Sequence, residues 1–180
     1  MGSTCPYLIF ITGASGVGKT TVLKAVEQEL PSSLVSVNYF DSIGVPPLEE
    51  MVRIHGSGEK WQEASTHLWI NKLVKMREKK LIFLEGQFNP LFATPYLKKL
   101  GIEKYLIVCL YADRQVREKR LISLRKQPEL VNEDMENWSN VLKSITQDIG
   151  GIVIESSNAD AKATAKKIIS LVKGRLSKDL

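Results

Sequence analysis

The residues Gly13-Ala14-Ser15-Gly16-Val17-Gly18-Lys19-Thr20 satisfy the spacing G-x-x-x-x-G-K-[ST]. In such a loop the glycines let backbone N–H groups curl around phosphates, Lys19 offers a mobile ammonium to the outer phosphates, and the Thr20 hydroxyl is a ligand for Mg²⁺. Thr21 follows at the start of the next element. The chemistry implied is binding of a nucleoside triphosphate with Mg²⁺. A glycine-rich turn that only joined two elements would explain the glycines but not Lys19.

That loop needs a buried strand before it and a helix after it. Leu8-Ile9-Phe10-Ile11 reads as the strand, and the run from Thr20 to Leu30 reads as a helix with Val22, Leu23, Val26 and Leu30 on one face. Further apolar runs at Leu34 to Val37, Leu81 to Leu84, Tyr105 to Leu110 and Ile152 to Ile154 lack polar alternation, as expected of parallel strands covered on both sides. Helical patterns lie at Lys60 to Lys79, Asp113 to Arg125, Glu133 to Gln147 and Ala159 to Arg175. In the Lys60 segment, Trp61, Ala64, Leu68, Trp69, Leu73 and Met76 are expected to form the apolar face. The result is an α/β sandwich of three layers with a five-stranded sheet.

The chain has 180 residues, 43% of them hydrophobic, which suits a single domain over 1–180. Two stretches depart from the core pattern: Ser42 to Glu59, rich in Gly and Pro, and Lys126 to Asn132 around Pro128. They suggest an acceptor-side segment near 42–80 and a short lid near 125–133. No apolar run has the length of a membrane span. The Met1-Gly2 start does not fit a lipidation pattern, because Pro6 stands where Ser or Thr is needed. Cys5 and Cys109 have no metal-binding spacing, Cys109 reads as a buried thiol, and a cytoplasmic setting is expected. His55 and His67 likewise lack companions for a zinc site. The net charge of +5 is concentrated on helices without interleaved aromatics, which argues against nucleic acid as the partner.

Together the loop, Asp41 after the second strand, the third strand ending Phe83-Leu84-Glu85-Gly86 and the arginine-bearing helix after Asp113 resemble the P-loop kinase superfamily, whose small members include adenylate, shikimate and gluconate kinases. The resemblance implies a parallel sheet of order 2-3-1-4-5 with helices on both faces, and transfer of the γ-phosphoryl group of ATP. It implies that Asp41 holds or deprotonates the acceptor and that Glu85 holds a Mg²⁺-bound water. It also gives Arg120 and Arg125 phosphate contacts. Plainer readings stand beside these: Asp41 as the start of a turn, Glu85 as a loop carboxylate paired with a lysine, and the arginines as a solvated basic face.

One departure constrains the acceptor. Nucleoside monophosphate kinases continue the third strand into Asp-Gly-Phe-Pro-Arg, whereas this chain reads Glu85-Gly86-Gln87-Phe88-Asn89-Pro90 and has no arginine there. Gln87 and Asn89 offer neutral hydrogen bonds suited to a hydroxyl or amide. Arg53 is a candidate source of the absent charge, and Trp61 a candidate wall of the acceptor pocket. Ser156-Ser157-Asn158, after the last strand, occupies the region that related folds turn toward adenine. The favoured reading is an ATP-dependent phosphotransferase acting on a small molecule. Its rivals are a nucleotide-operated regulatory ATPase and a nucleic-acid-associated protein.

Overall fold

The computed structural model describes residues 6–176; Met1, Gly2 and Cys5 lie outside the described residues. Five strands, β1 (Tyr7–Thr12), β2 (Val35–Tyr39), β3 (Leu81–Glu85), β4 (Tyr105–Tyr111) and β5 (Ile152–Glu155), form one sheet of order β2-β3-β1-β4-β5. Every pair is parallel, with Ile9 opposite Phe83 on one side and Leu106 on the other. Successive side chains on a strand point to opposite faces, and β1 divides its apolar residues accordingly. Ile9 and Ile11 join the core formed with α1 (Lys19–Glu29) and α7 (Ala161–Leu176), which contribute Leu23, Val26, Ile168 and Val172. Leu8 and Phe10 join the opposite core with Trp69, Ile70 and Leu73 of α3 (Gly58–Leu73) and Ala93 and Leu97 of α4 (Pro90–Lys99). The expected order and the helices on both faces are therefore present. The remaining helices are α2 (Leu48–His55), α5 (Arg114–Arg120) and α6 (Glu133–Asp148). No helix among the described residues is long and apolar enough to cross a membrane.

Several elements differ from the sequence reading. The stretch Ser42 to Glu59 is not irregular throughout: it contains α2, whose N-terminus follows Pro46-Pro47 and whose end is turned by Gly56 at φ 87°. The sequence pattern predicts no helix between the third and fourth strands, yet α4 starts there with Asn89 as N-cap and Pro90 in the first turn. Pro95 masks it, since an interior proline removes a backbone donor. The Lys60 to Lys79 pattern ends as helix at Leu73, after which turns closed by Met76 N to Leu73 O and Lys79 N to Met76 O lead into β3. Its buried face is also shifted. Ser65 and Thr66 are inside, while Ala64 is exposed and Leu68 is 51% exposed. Thr66 Oγ1 donates to Gln62 O at 2.7 Å, so the buried hydroxyl is satisfied within the helix. The Asp113 to Arg125 helix becomes α5 followed by a wider π-helical turn at Leu121–Arg125, and the stretch expected as a lid includes a short 3₁₀ turn at Pro128–Leu130.

The chain leaves β2 into a 3₁₀ turn, Phe40–Ile43, whose first residue is locked into the core. Phe40 stacks on Phe88 at 5.5 Å between ring centroids and meets the edge of Trp61, and its carbonyl accepts a 3.0 Å hydrogen bond from Trp69 Nε1. Gly86 makes this packing possible, because a Cβ there would stand 2.4 Å from Phe40 Cβ. Gly86→Ala is therefore expected to cost roughly 1–3 kcal/mol of stability through overpacking. Urea unfolding checks this; an unchanged midpoint would mean that Phe40 is not held as described.

Candidate functional site

The phosphate loop fits where it does because two positions carry no side chain. At Gly13, with φ 142°, a Cβ would lie 2.4 Å from Leu110 O; at Gly16, with φ 81°, it would lie 2.9 Å from both Arg117 O and Leu121 Cγ. Both positions combine a left-handed backbone with close neighbours. Ala14 and Val17 are buried and hold the loop down. Gly18 then leads into α1, which has no side-chain cap and no acidic residue in its first turn. The positive end of the helix, with its free N–H groups, is left available to an anion.

Lys19 folds back over the loop, donating to Gly13 O at 2.7 Å and Ala14 O at 3.3 Å. Its pKa is lowered by burial; Glu85 opposes that shift, Arg125 reinforces it, and Asp41 again opposes it. These four charged groups therefore share one electrostatic environment. Thr20 Oγ1 donates to Glu85 Oε1 at 3.0 Å, joining the start of α1 to the end of β3. Glu85 is only 8% exposed and its Oε2 is buried without a hydrogen-bond partner. Burial raises its pKa against the pull of Lys19 and Thr20. A hydroxyl oxygen beside a buried, half-satisfied carboxylate is a donor set of hard oxygens that fits Mg²⁺ or its water shell.

A cavity of about 490 Å³ opens beside the loop. Gly16 to Val22 form one wall, Arg120, Leu124 and Arg125 a second, and Ser156 with residues 159–161 and Thr164 a third. Thr21 is exposed and lines it. Arg120 braces two of these walls, giving hydrogen bonds to Val17 O at 3.0 Å and Ser156 O at 3.2 Å. Arg125 is exposed at the end of the π-helical turn and close enough to influence Lys19 and Glu85. The other arginines of this helix serve differently. Arg114 pairs with Glu118 and Glu133 at the surface, while Arg117 is 3% exposed, donates to Ala112 O and pairs with Glu136.

On the opposite side of the loop, Asp41 is exposed on the 3₁₀ turn at the carboxyl end of β2. The turn is closed by the backbone bond from Gly44 N to Asp41 O, so Asp41 starts a turn through its main chain and its carboxylate is left for other use. Gln87 reaches the phosphate loop directly, its Oε1 accepting from Ser15 Oγ at 2.9 Å. Asn89 is the cap of α4, its Oδ1 accepting from Leu91 N, which leaves its side-chain NH2 for an acceptor. Arg53 sits on exposed α2 beside Glu50 at 3.9 Å and is not brought against Asp41 or Gln87. Trp61 is half-buried against Phe40. Gln62 escapes the sequence reading. Its Nε2 donates to Gln87 O at 3.2 Å and its Oε1 accepts from Asn89 N at 2.9 Å. Its place one residue after Trp61 is the only signal.

Cys109 is buried on β4 and burial pushes its thiol up to about 11, which makes it an inert core residue. His67 stacks on Tyr96 and its Nε2 lies 3.1 Å from Phe92 O, a packing role between α3 and α4.

Comparison with known proteins agrees with this topology. The model of the AAA domain family matches residues 9–139, more than half of the chain. Among curated proteins, none matches the sequence significantly. Among solved structures, a shikimate kinase from Acinetobacter baumannii in complex with shikimate is 18% identical, with a TM-score of 0.63 and 96% of each chain covered. A gluconokinase from Sinorhizobium meliloti 1021 is 12% identical, with a TM-score of 0.69 over 97% of this chain and 95% of that one. A tunicamycin resistance protein from Deinococcus radiodurans is 20% identical, with a TM-score of 0.68 over 94% and 96%. At these identities the likeness concerns the fold, and with residues 9–139 matched the chain belongs to the AAA domain family and has the fold of the P-loop kinases.

Proposed function

We propose that this protein transfers the γ-phosphoryl group of ATP to an uncharged, hydroxyl-bearing small molecule. The observation that carries the reading is the gathering of Lys19, the Thr20–Glu85 pair and Asp41 at the carboxyl edge of the sheet, with the Asp41 charge acting on both Lys19 and Glu85. In open parallel sheets this edge is where ligands bind. The cavity beside the loop suits a nucleotide, with the 156–164 wall on the base side and Lys19 toward the outer phosphates.

In the reaction an acceptor oxygen forms a bond to the γ-phosphorus as the bond to the bridging oxygen of ADP breaks. The acceptor's proton passes to the Asp41 carboxylate, which also orients the hydroxyl. Lys19 and Arg125 stabilise the negative charge that spreads over the transferring group. Thr20 and Glu85 would hold Mg²⁺, which when bound offsets phosphate charge and orients the triphosphate. The kinship of fold with kinases for a carboxylated alcohol and a sugar acid supports transfer to a small alcohol. This chain has no arginine directly after β3, and Arg53 lies on exposed α2 within 3.9 Å of Glu50, which favours an acceptor without a carboxylate or phosphate. Gln87 favours a neutral group instead.

Asp41→Asn is expected to lower turnover by about 10²–10⁴ fold while ATP affinity stays within a factor of about three. Product mass across a panel of sugars, nucleosides and amino alcohols measures the first and calorimetry the second, with Lys19→Ala as control. Hydrolysis without any phosphorylated product across that panel would favour the regulatory ATPase. Glu85→Gln should abolish the dependence of ATP affinity on Mg²⁺. It should also change the acid response of the ligand-free protein. The buried Glu85 carboxyl holds its proton more tightly folded than unfolded, so its contribution favours the folded state at acid pH. That contribution is lost as pH rises from about 4.5 through the raised folded value, and Glu85→Gln should remove this decline in a pH series of urea unfolding curves.

A further inference from the structure

The turn that follows β3 is pinned through its backbone from three directions. Gly86 N donates to Ile11 O at 3.1 Å, Thr12 Oγ1 donates to Phe88 O at 2.8 Å, and the Gln62 carboxamide takes two further groups, Gln87 O and Asn89 N. The orientation of Gln62 is unambiguous. One partner is a carbonyl and the other an N–H, so its amide nitrogen and oxygen can face only one way. The clamp leaves the Gln87 side chain as the free part of the turn, and that side chain meets Ser15 inside the phosphate loop. Ser15 Oγ can donate to one atom of that amide or accept from the other, so the carboxamide keeps a neutral hydrogen-bonding group beside the loop.

We propose that Gln62 is a positioning residue: by clamping the 86–89 turn through Gln87 O and Asn89 N, it fixes the Gln87 amide against Ser15 and couples the acceptor-side helix α3 to the phosphate loop. The role of Gln87 toward an acceptor rests on the phosphotransferase reading; the clamp itself does not. Thr66 strengthens the device from below, since its hydroxyl bonds Gln62 O and fixes the turn of α3 from which the carboxamide projects. Trp61, the preceding residue, packs on Phe40 next to Asp41, so one helical segment braces both candidate acceptor contacts.

Two variants separate the clamp from mere packing. Gln62→Met keeps the volume and removes both hydrogen bonds, while Gln62→Glu keeps an acceptor for Asn89 N and presents no donor to Gln87 O. In ¹⁵N-labelled protein, with the Gln87 side-chain amide assigned through Gln87→Ala, either variant should displace that resonance. Phosphorylated product formed from Mg-ATP and an acceptor of the panel should fall about tenfold with nucleotide affinity unchanged, and Gln62→Met with Gln87→Ala should be no slower than Gln87→Ala alone. A Gln87 amide unmoved in both folded variants, or losses that simply add in the double variant, would overturn the proposal. If the wild-type protein forms no phosphorylated product from any acceptor of the panel, the phosphotransferase reading fails, and the amide resonance still decides whether Gln62 holds Gln87.

Discussion

The hydrogen bond from Thr20 to Glu85 is the constraint around which this molecule is organised. It joins the helix that follows the phosphate loop to the strand next to β1, at the edge of the sheet where side chains emerge. A buried carboxylate is costly unless its oxygens are satisfied, and here only one of them is. Lys19 supplies the nearest opposite charge, yet its ammonium is itself desolvated and directs its hydrogen bonds to Gly13 and Ala14. Each group offsets part of the other's burial cost. Burial still shifts both toward their neutral forms, and one Glu85 oxygen stays unsatisfied, so the pair can take a hard cation on one side and an anion on the other. A metal-bound polyphosphate brings both.

Placement of the surrounding groups depends on packing more than on charge. Asp41 is exposed and mobile side chains are poor positioners, but its neighbour Phe40 is buried between Phe88 and Trp61 with its carbonyl held by Trp69. The carboxylate thus inherits its position from an aromatic anchor one residue earlier. Arg120 works similarly through main-chain oxygens, bridging Val17 and Ser156 so that the loop and the far wall of the cavity keep a fixed separation. In both cases precision comes from buried neighbours of the functional group.

How much is legible in the sequence follows from how each feature is encoded. The donor side is built by backbone N–H groups and glycines within one contiguous loop, so its pattern survives in a short string of residues. The strands are legible because parallel strands covered on both faces leave uninterrupted apolar runs. The acceptor side is different: Asp41, Trp61, Gln62 and Gln87 come from three separate elements and meet only after β2 and β3 pair. Asn89 shows the same limit from the other direction. Its residue type fits a ligand contact and a helix cap equally well, and only the presence of α4 shows that its Oδ1 serves as the cap. Helix α4 itself is obscured by Pro95, and the buried face of α3 by its two small hydroxyl residues, which pack as core without looking apolar.

The distribution of charge explains why the fold alone does not name the acceptor. Arg120 and Arg125 stand on the donor wall, whereas Asp41 and Glu85 mark the other side of Lys19. On the proposed phosphotransferase reading, cations committed to the phosphate-bearing ligand leave the acceptor side to discriminate by neutral hydrogen bonds and shape. Such contacts favour a partner weakly in absolute terms but penalise a mismatched one strongly, because a buried amide left unpaired loses its solvation without recompense. A site of this kind selects by rejecting anions and poorly shaped alcohols rather than by seizing one charged group. Its specificity therefore resides in how rigidly Gln87 is held, which makes the backbone clamp on the 86–89 turn as consequential for selectivity as the side chain it presents.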